Sequence, residues 1–526
     1  MQTLTKTLTG AQIIIQTLKQ MGVDTVFGYP GGVVLEIYDE LSKQSDIKHY
    51  LVRHEQAAVH AAEGYARVTG KCGVVLVTSG PGATNTITGI ANAYHDGFPL
   101  VVITGQVPAK LLHQNAFQEV DIISMTKACT KKNFQVKDIN DLQSTLNAAF
   151  KIALSVKQGP VLVDITKNVF SQNCELENIS ADFTHKSISC ADIDSALNLI
   201  NNSKKPVIIA GGGAINASDE LQKFADIMGI PVVSTMMGLG IYPANGKNYA
   251  GMIGIFGSAN EFVRESDLIF AIGTKLNDRI MCKLGEISQK FIRLDINPKE
   301  LAKNSSTDIE LLGDSKEILS KMIAKCSPKP FEKRTLLPVF QQKRTQRMHS
   351  FEVMQEIQNC ISDKNLVITT EVGQHQVWTA RYLRFNHPRK FITSGGLGTM
   401  GFGFPAAIGA SIANNRKPVI CIAGDGSFQM NMQEIATCMD YNLPVKVFIM
   451  NNGYLGMVRQ FQEKSCDKRY FATKISNPDF VKLAESYGAT GLRVEKPQDI
   501  KPAIEKALSI DSAVIVDFVI EPEEIL

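Results

Sequence analysis

Short apolar runs rich in Val and Ile recur from one end of the chain to the other. Each is followed by a glycine-containing turn and then by a longer segment of helical periodicity. Runs of four to eight such residues bounded by turn formers predict strands buried on both faces, and their alternation with helices predicts parallel sheets covered by helices. Residues 73–77 precede Ser79-Gly80-Pro81-Gly82, and residues 206–210 precede Gly211-Gly212-Gly213. Residues 418–423 lead into Gly424-Asp425-Gly426, and residues 445–450 into Asn451-Asn452. In sheets of this kind ligands bind beyond the carboxyl ends of the strands, so those turns are the places to look for chemistry.

Two polar stretches break the rhythm. One is residues 171–190. The other is 327–350, where Pro328, Pro330 and Pro338 stand among Lys333, Arg334, Lys343, Arg344 and Arg347. Read as connectors, they divide the chain into units of about 1–170, 190–325 and 350–526; a phosphate-binding patch is the other reading of the basic run. Length agrees with three α/β units, each a doubly wound parallel sheet: 526 residues at 44% hydrophobic content are too many for one ordinary core and predict two to four domains. The 55 basic and 52 acidic residues are spread evenly, which excludes a nucleic-acid or membrane surface and points to small-molecule partners. No apolar run approaches the ~20 residues of a membrane helix. Residues 1–20 lack a secretory or transit pattern, and the ten cysteines form no C-x-x-C pair; both predict a cytoplasmic chain with reduced thiols.

The strongest chemical signal is Gly424-Asp425-Gly426, then twenty-four residues, then Asn451-Asn452, with both ends following strand patterns. Loops at neighbouring strand ends can converge on one ion. A magnesium ion carried by a diphosphate needs about six hard oxygens, which an Asp carboxylate, an Asn amide, a backbone carbonyl and phosphate oxygens supply. Glycines beside Asp425 let backbone approach the diphosphate. The alternative is an ordinary Asx-turn at each strand end. Nearby, Gly396-Leu397-Gly398-Thr399-Met400-Gly401 fits the dinucleotide fingerprint, with Asp425 close to the acidic position that fingerprint wants; on its own it leaves Asn451-Asn452 unexplained. A second constellation is Arg53-His54-Glu55-Gln56 ahead of an alanine-rich helical stretch. Glu55 there reads either as a helix cap or as a catalytic carboxylate.

Tyr29-Pro30-Gly31-Gly32, residues 53–56, 78–85 (TSGPGATN), 116–119 (AFQE), 373–376 (GQHQ), 394–403 and 424–431 together resemble the acetohydroxyacid synthase family, in unbroken order from about residue 8 to 523. The resemblance implies three domains: a thiamine pyrimidine-binding domain, a central FAD-type domain and a diphosphate-binding domain. It also implies cofactor sites built between two subunits of a homodimer or tetramer, with a regulatory small subunit as a further partner. The activity implied is thiamine diphosphate-dependent decarboxylation of pyruvate and transfer of the two-carbon unit to a second 2-keto acid, giving 2-acetolactate.

By motif match, Glu55 is the carboxylate at the aminopyrimidine nitrogen, and Asp425, Asn452 and the Tyr454 carbonyl are the magnesium ligands. Met400 is the residue that props the cofactor in its bent shape. Tyr29, Pro30, Gly31, Gly32, Pro81, Asn85 and Gln118 contribute from the first unit; Gln374, His375, Gly398, Gly424, Gly426, Ser427, Leu455, Gly456 and Met457 contribute from the third. Once bound, the thiazolium serves as electron sink for the decarboxylation. Gln118 and Phe117 position the acceptor, and Arg279 grips its carboxylate with a planar fork; a surface salt bridge to Asp278 is the plainer reading of that arginine. Val33, Lys167, Met252 and Phe461 complete the implied substrate set. The implied flavin, structural in this family, falls on Gly211, Gly212, Gly213, Thr235, Met236, Met237, Gly251, Met252, Gly273, Asp295 and Asp314.

Departures from the family pattern bear on specificity. Ile253, Lys275, Leu276 and Asn277 stand where His, Arg, Phe and Asp are usual, and His113-Gln114-Asn115 where Gly-Thr-Asp is common. Val33 replaces Ala, Phe461 replaces Trp, and the sequence stops at Leu526, before the family's C-terminal arm. Three other readings compete: a carboligase with a different acceptor, a flavin-dependent pyruvate oxidase, and a catalytically silent paralogue that only binds cofactor.

Overall fold

A computed structural model describes residues 7–176, 190–285, 288–303, 307–329, 331 and 347–526. The first sheet is six-stranded and parallel, built from β2 (Thr25–Tyr29), β3 (Lys48–Leu51), β4 (Gly73–Val77), β5 (Leu100–Gln106), β6 (Lys132–Val136) and β7 (Pro160–Thr166) in the order β3-β2-β4-β5-β7-β6. Every residue of β4, β5 and β7 is buried, which is why these strands read as continuous apolar runs rather than alternating ones. A short strand β1 (Thr7–Thr9) pairs antiparallel with β8 (Asn173–Glu175). Residues 173–175 therefore belong to the first domain and not to the connector expected from 171 onward. A three-residue strand with one apolar position, Cys174, between Asn173 and Glu175 lacks the apolar run that marks a buried strand, so composition hid it. The remainder of that connector and most of the second lie outside the described residues.

The middle sheet runs β12 (Tyr249–Met252), β11 (Val232–Ser234), β10 (Pro206–Ala210), β13 (Leu268–Ile272), β14 (Lys290–Asp295), β15 (Ile309–Leu312), with β9 (Cys190–Ala191) antiparallel on the edge. The third is β17 (Phe391–Ile392), β16 (Val367–Thr370), β18 (Val419–Gly424), β19 (Val445–Asn451), β21 (Val514–Val519), β20 (Thr490–Val494), all parallel. Numbered within each sheet, the first and third share the order 2-1-3-4-6-5, whereas the six parallel strands of the middle sheet follow 3-2-1-4-5-6, the order of dinucleotide-binding sheets. Each sheet has a switch point where successive crossovers diverge: β2/β4, β10/β13 and β16/β18.

The first and third domains meet through two almost wholly buried helices, Glu55–Thr69 and Gly403–Ala413. Backbones touch there because side chains are missing. A Cβ on Gly64 would lie 2.1 Å from the Ala406 carbonyl oxygen, and one on Gly409 would lie 1.8 Å from that of Ala61. No helix among the described residues is long and apolar enough to cross a membrane.

Candidate cofactor and active site

At the β16/β18 switch point the third domain forms a narrow pocket of about 60 Å³. Gln374, His375, Met400, Gly424 to Ser427, Asn452 and Tyr454 to Met457 all line it, so the structure gathers nearly every third-unit residue singled out by sequence. Strands β18 and β19 are neighbours in register, which is what brings Asp425 and Asn452 to adjoining strand ends. Asp425 Oδ2 accepts hydrogen bonds from the Gly453 amide (2.8 Å) and from Asn477 Nδ2 (2.7 Å). Burial pushes the Asp425 carboxyl up to about 6, against the pull of those two bonds. Asn452 Oδ1 accepts the Tyr454 amide at 3.1 Å, so the Asx-turn geometry is present there, directed into the pocket.

Two features of this pocket suit a diphosphate. The helix Gly456–Ser465 begins at its wall, presenting first-turn amides to an anion, and glycines keep the wall open: a Cβ on Gly424 would lie 2.7 Å from His375 Nδ1, and one on Gly456 2.1 Å from Gln374 Oε1. His375 Nε2 and Trp378 Nε1 are buried polar atoms without a partner among the described residues, and both residues line the pocket. Burial drives the His375 imidazole down to about 3, so it is neutral. Groups left unsatisfied in a closed cavity call for a polar occupant. Among the described residues no cluster of three or more His, Cys, Asp and Glu is placed to hold a metal alone, so an ion beside Asp425 would draw oxygens from its ligand as well.

The first domain assembles its own half at the β2/β4 switch point. Glu55 is the first residue of its helix but not the cap: His54 Nδ1 takes that role, accepting the Gln56 amide at 3.1 Å. The Glu55 carboxylate instead accepts from Asn85 Nδ2 at 2.9 Å. A Cβ on Gly31 would strike Thr78 at 2.5 Å, one on Gly80 the Gln118 backbone, and one on Gly105 the Val33 side chain, which fixes how closely these segments converge. Lys167 Nζ donates to the Gly32 carbonyl at 3.4 Å. Gln118 sits at φ +59°, held where few non-glycine residues sit, and Phe117 beside it is 88% exposed. Glu55, Gln118 and Phe117 do not line the third-domain pocket.

A cavity of about 740 Å³ opens at the β10/β13 switch point, within the usual size range of cofactor sites. Gly212, Gly213, Thr235, Met236, Met237, Met252, Gly273, Arg279, Asp295 and Asp314 line it, whereas Gly211 and Gly251 do not. Gly211 is instead packed under the β13 turn, where its Cβ would lie 2.3 Å from the Gly273 carbonyl oxygen. Arg279 and Met252 share this wall, and among the described residues no ion pair joins Arg279 to Asp278. Burial raises the Asp295 carboxyl. Phe461 is half-exposed on the helix Gly456–Ser465, one turn beyond Met457 and therefore on the same face.

The fingerprint at 396–401 is not a dinucleotide turn. Its amides are consumed by side chains: Gly396 donates to Asp96, Gly398 and Thr399 to Ser394 Oγ, and Gly401 to Glu371. The residues sequence reasoning missed are those that support others: Asn477, Trp378, Glu371 and Glu434. Asn477-Pro478 is a turn signal that could have drawn attention, and Trp378 is the chain's one tryptophan; the two buried glutamates carried no signal.

Comparison with known proteins matches three family models along the chain. Residues 8–125 match the family described as thiamine pyrophosphate enzyme, N-terminal TPP binding domain, 193–322 the central domain, and 371–518 the C-terminal TPP binding domain. The chain is 40% identical to the acetolactate synthase large subunit of Haemophilus influenzae over 99% of its own length and 96% of that protein's. It is 42% identical to the acetolactate synthase large subunit of Mycobacterium tuberculosis (98% and 88%) and 40% to the acetolactate synthase isozyme 3 large subunit of Escherichia coli (95% and 92%).

Proposed function

From the premise that the chain belongs to the acetolactate synthase large-subunit family of thiamine diphosphate enzymes, we propose the following reading of its sites. The protein is a transferase that binds thiamine diphosphate, takes pyruvate as substrate and forms acetolactate for branched-chain amino-acid synthesis. The observation that carries the site assignment is the third-domain pocket, where Asp425 and Asn452 meet a helix start, a glycine-lined wall and two unpartnered buried nitrogens.

In that pocket Asp425, Asn452 and the Tyr454 carbonyl hold Mg²⁺, while the amides of Gly456 and Met457 and the side chains of Gln374, His375 and Ser427 receive the diphosphate. When bound, thiamine diphosphate supplies the electron sink for loss of carbon dioxide. The chain's own residues do the rest. Glu55 holds or releases a proton at the cofactor's ring nitrogen, with Asn85 fixing its carboxylate by the 2.9 Å bond. Met400, on the pocket wall, would support the bound cofactor. Gln118 and Phe117 orient the second keto acid and exclude water, and Arg279 pairs with its carboxylate. FAD fits the middle cavity: the 740 Å³ volume, the Rossmann strand order and the Gly212-Gly213 turn suit a dinucleotide, with Asp295 and Asp314 on its wall. Its part is structural.

Glu55 does not line the pocket that contains Asp425, which supports the family arrangement in which two copies complete each site and a homodimer is the minimal active form. The three units, with the first extended to residue 176, act as pyrimidine-binding, FAD-type and diphosphate-binding domains. A cytoplasmic location and a regulatory small subunit complete the proposal. The test is incubation of the purified protein with pyruvate, thiamine diphosphate and Mg²⁺, with acetolactate read as acetoin after acidification. Acetoin formed by the native protein and lost in Glu55→Gln is the expected result; pyruvate consumed without acetoin would overturn it.

A further inference from the structure

Glu55 opens its helix, so its carboxylate goes where the four preceding residues put it. Those residues are held by the third domain of the same chain. The Leu51 amide donates to Tyr441 Oη at 2.9 Å, and Thr437 Oγ1 donates to the Leu51 carbonyl at 3.2 Å. The Arg53 amide donates to Glu434 Oε1 at 2.9 Å, and the Arg53 guanidinium reaches Asp440 at 2.5 Å. Glu434 is fully buried, and its second oxygen accepts from Thr437 Oγ1 at 2.7 Å. Burying a carboxylate is expensive where an apolar side chain would fill the same space, so its retention needs a purpose.

We propose that Glu434 is a positioning residue for Glu55: by anchoring the Arg53 amide it sets the height and direction from which the Glu55 carboxylate meets the cofactor. The inference rests on the reading of Glu55 given above. Glu434 touches neither substrate nor cofactor in this assignment; it acts through the backbone of residues 51–54. Its carboxyl is pushed up to about 7, first by burial and against the bonds from Thr437 and Arg53, so a neutral side chain of the same shape should serve. The anchor needs an acceptor oxygen, which Gln keeps and Ala lacks.

The experiment measures exchange of the thiazolium C2 proton of bound thiamine diphosphate in the Mg²⁺-loaded enzyme without pyruvate, beside cofactor affinity and thermal unfolding. Displacing a catalytic group by about 1 Å costs up to ~100-fold, so Glu434→Ala is expected to slow exchange at least ~10-fold with cofactor affinity changed by less than about 3-fold. Glu434→Gln should stay within about 3-fold of the native rate. If Glu434→Ala does not fold, Tyr441→Phe, which removes only the hydroxyl that receives the Leu51 amide, should slow exchange by roughly 3-fold or more. Native exchange in a folded Glu434→Ala, equal slowing in the Ala and Gln variants, or native exchange in Tyr441→Phe where Ala fails, would overturn the inference. Glu55→Gln separates the two levels. Slow exchange in Glu55→Gln with native exchange in Glu434→Ala sinks this inference alone, whereas native exchange in Glu55→Gln sinks the Glu55 assignment beneath it.

Discussion

The pocket at the β16/β18 switch point and the cavity at the β10/β13 switch point occupy equivalent places in two parallel sheets, yet they are built on opposite plans. The first, at about 60 Å³, is narrow, and its polar atoms are fixed, Asp425 by bonds from Gly453 and Asn477 and Asn452 by its own bond to Gln374 Oε1, or left waiting without partners. The second, at about 740 Å³, is broad, and its wall mixes Lys157, Lys275, Arg279 and Arg389 with Asp96, Asp295, Glu300 and Asp314. A site that must hold a charged group at fixed distances needs particular side chains. A site that must enclose a large ligand needs volume and a few amides, which many sequences provide. Substitutions in the narrow pocket should therefore fail by orders of magnitude, and those in the broad one by degrees.

The largest effect should come from Asp425→Ala. Even groups that only orient metal ligands are worth 10–100-fold in affinity, so removal of a ligand should weaken Mg²⁺-dependent thiamine diphosphate binding by more than ~100-fold. Titration calorimetry with and without Mg²⁺ reads this directly, and tight metal-dependent binding in the variant would place the metal elsewhere. Next is Glu55→Gln, which should keep cofactor binding while turnover falls at least ~100-fold, as loss of a proton-transfer group does. Near-normal pyruvate consumption would refute the assignment.

The same contrast explains what the sequence disclosed. Gly424-Asp425-Gly426 and Asn451-Asn452 were legible because each follows a buried run that is apolar but for Lys446, so the polar residues and glycines at the strand ends stand out. The three sheets were legible because central strands buried on both faces are mostly Val, Ile and Leu, with few polar positions such as Asp164 and Lys446 to blur them. The strand pair Thr7–Thr9 with Asn173–Glu175 was not, because two three-residue strands with one apolar position each, Leu8 and Cys174, are too short to leave a periodic signature. Glu434 and Glu371 were invisible too, since their value lies in amides brought from distant segments, Arg53 in one case and Gly401 with Phe404 in the other. The fingerprint at 396–401 misled because the pattern records glycines but not where their amides point.

A third substitution probes the broad cavity. An added methyl on Gly213 would meet Gly273 Cα at 2.8 Å, forcing two backbone turns apart at the cavity wall. Overpacking of that kind costs about 1–3 kcal/mol, so Gly213→Ala should weaken FAD uptake roughly 10-fold. Flavin absorbance of the purified variant measures it. Thiamine diphosphate affinity should stay near native, and an equal loss of both would show that the two sites are not independent.

The smallest effect concerns acceptor choice, where the chain departs from its family in the narrow site's outer rim. Phe461 lies on the helix that starts at the pocket, one turn past Met457, and is 51% exposed, and we take its ring to face the acceptor. The family pattern has Trp at this position, whose broader face packs an added methylene of the acceptor. One such group is worth roughly 1–3 kcal/mol, or about 10–200-fold, when a pocket is shaped for it. A phenyl ring covers part of that area. In direct competition the native protein should therefore favour 2-ketobutyrate over pyruvate far less than Trp-containing relatives do, and Phe461→Trp should raise that preference several-fold, short of the full ~10–200-fold because Val33 and the 113–115 segment also differ. The measurement is the ratio of acetohydroxybutyrate to acetolactate at varied substrate ratios in the two proteins. A strong preference for 2-ketobutyrate in the native protein, unchanged by Phe461→Trp, would mean that this face of the helix does not meet the acceptor. The methylene would then have to be read by the Met252 and Arg279 wall instead, and the broad cavity would carry a share of the specificity that its plan argues against.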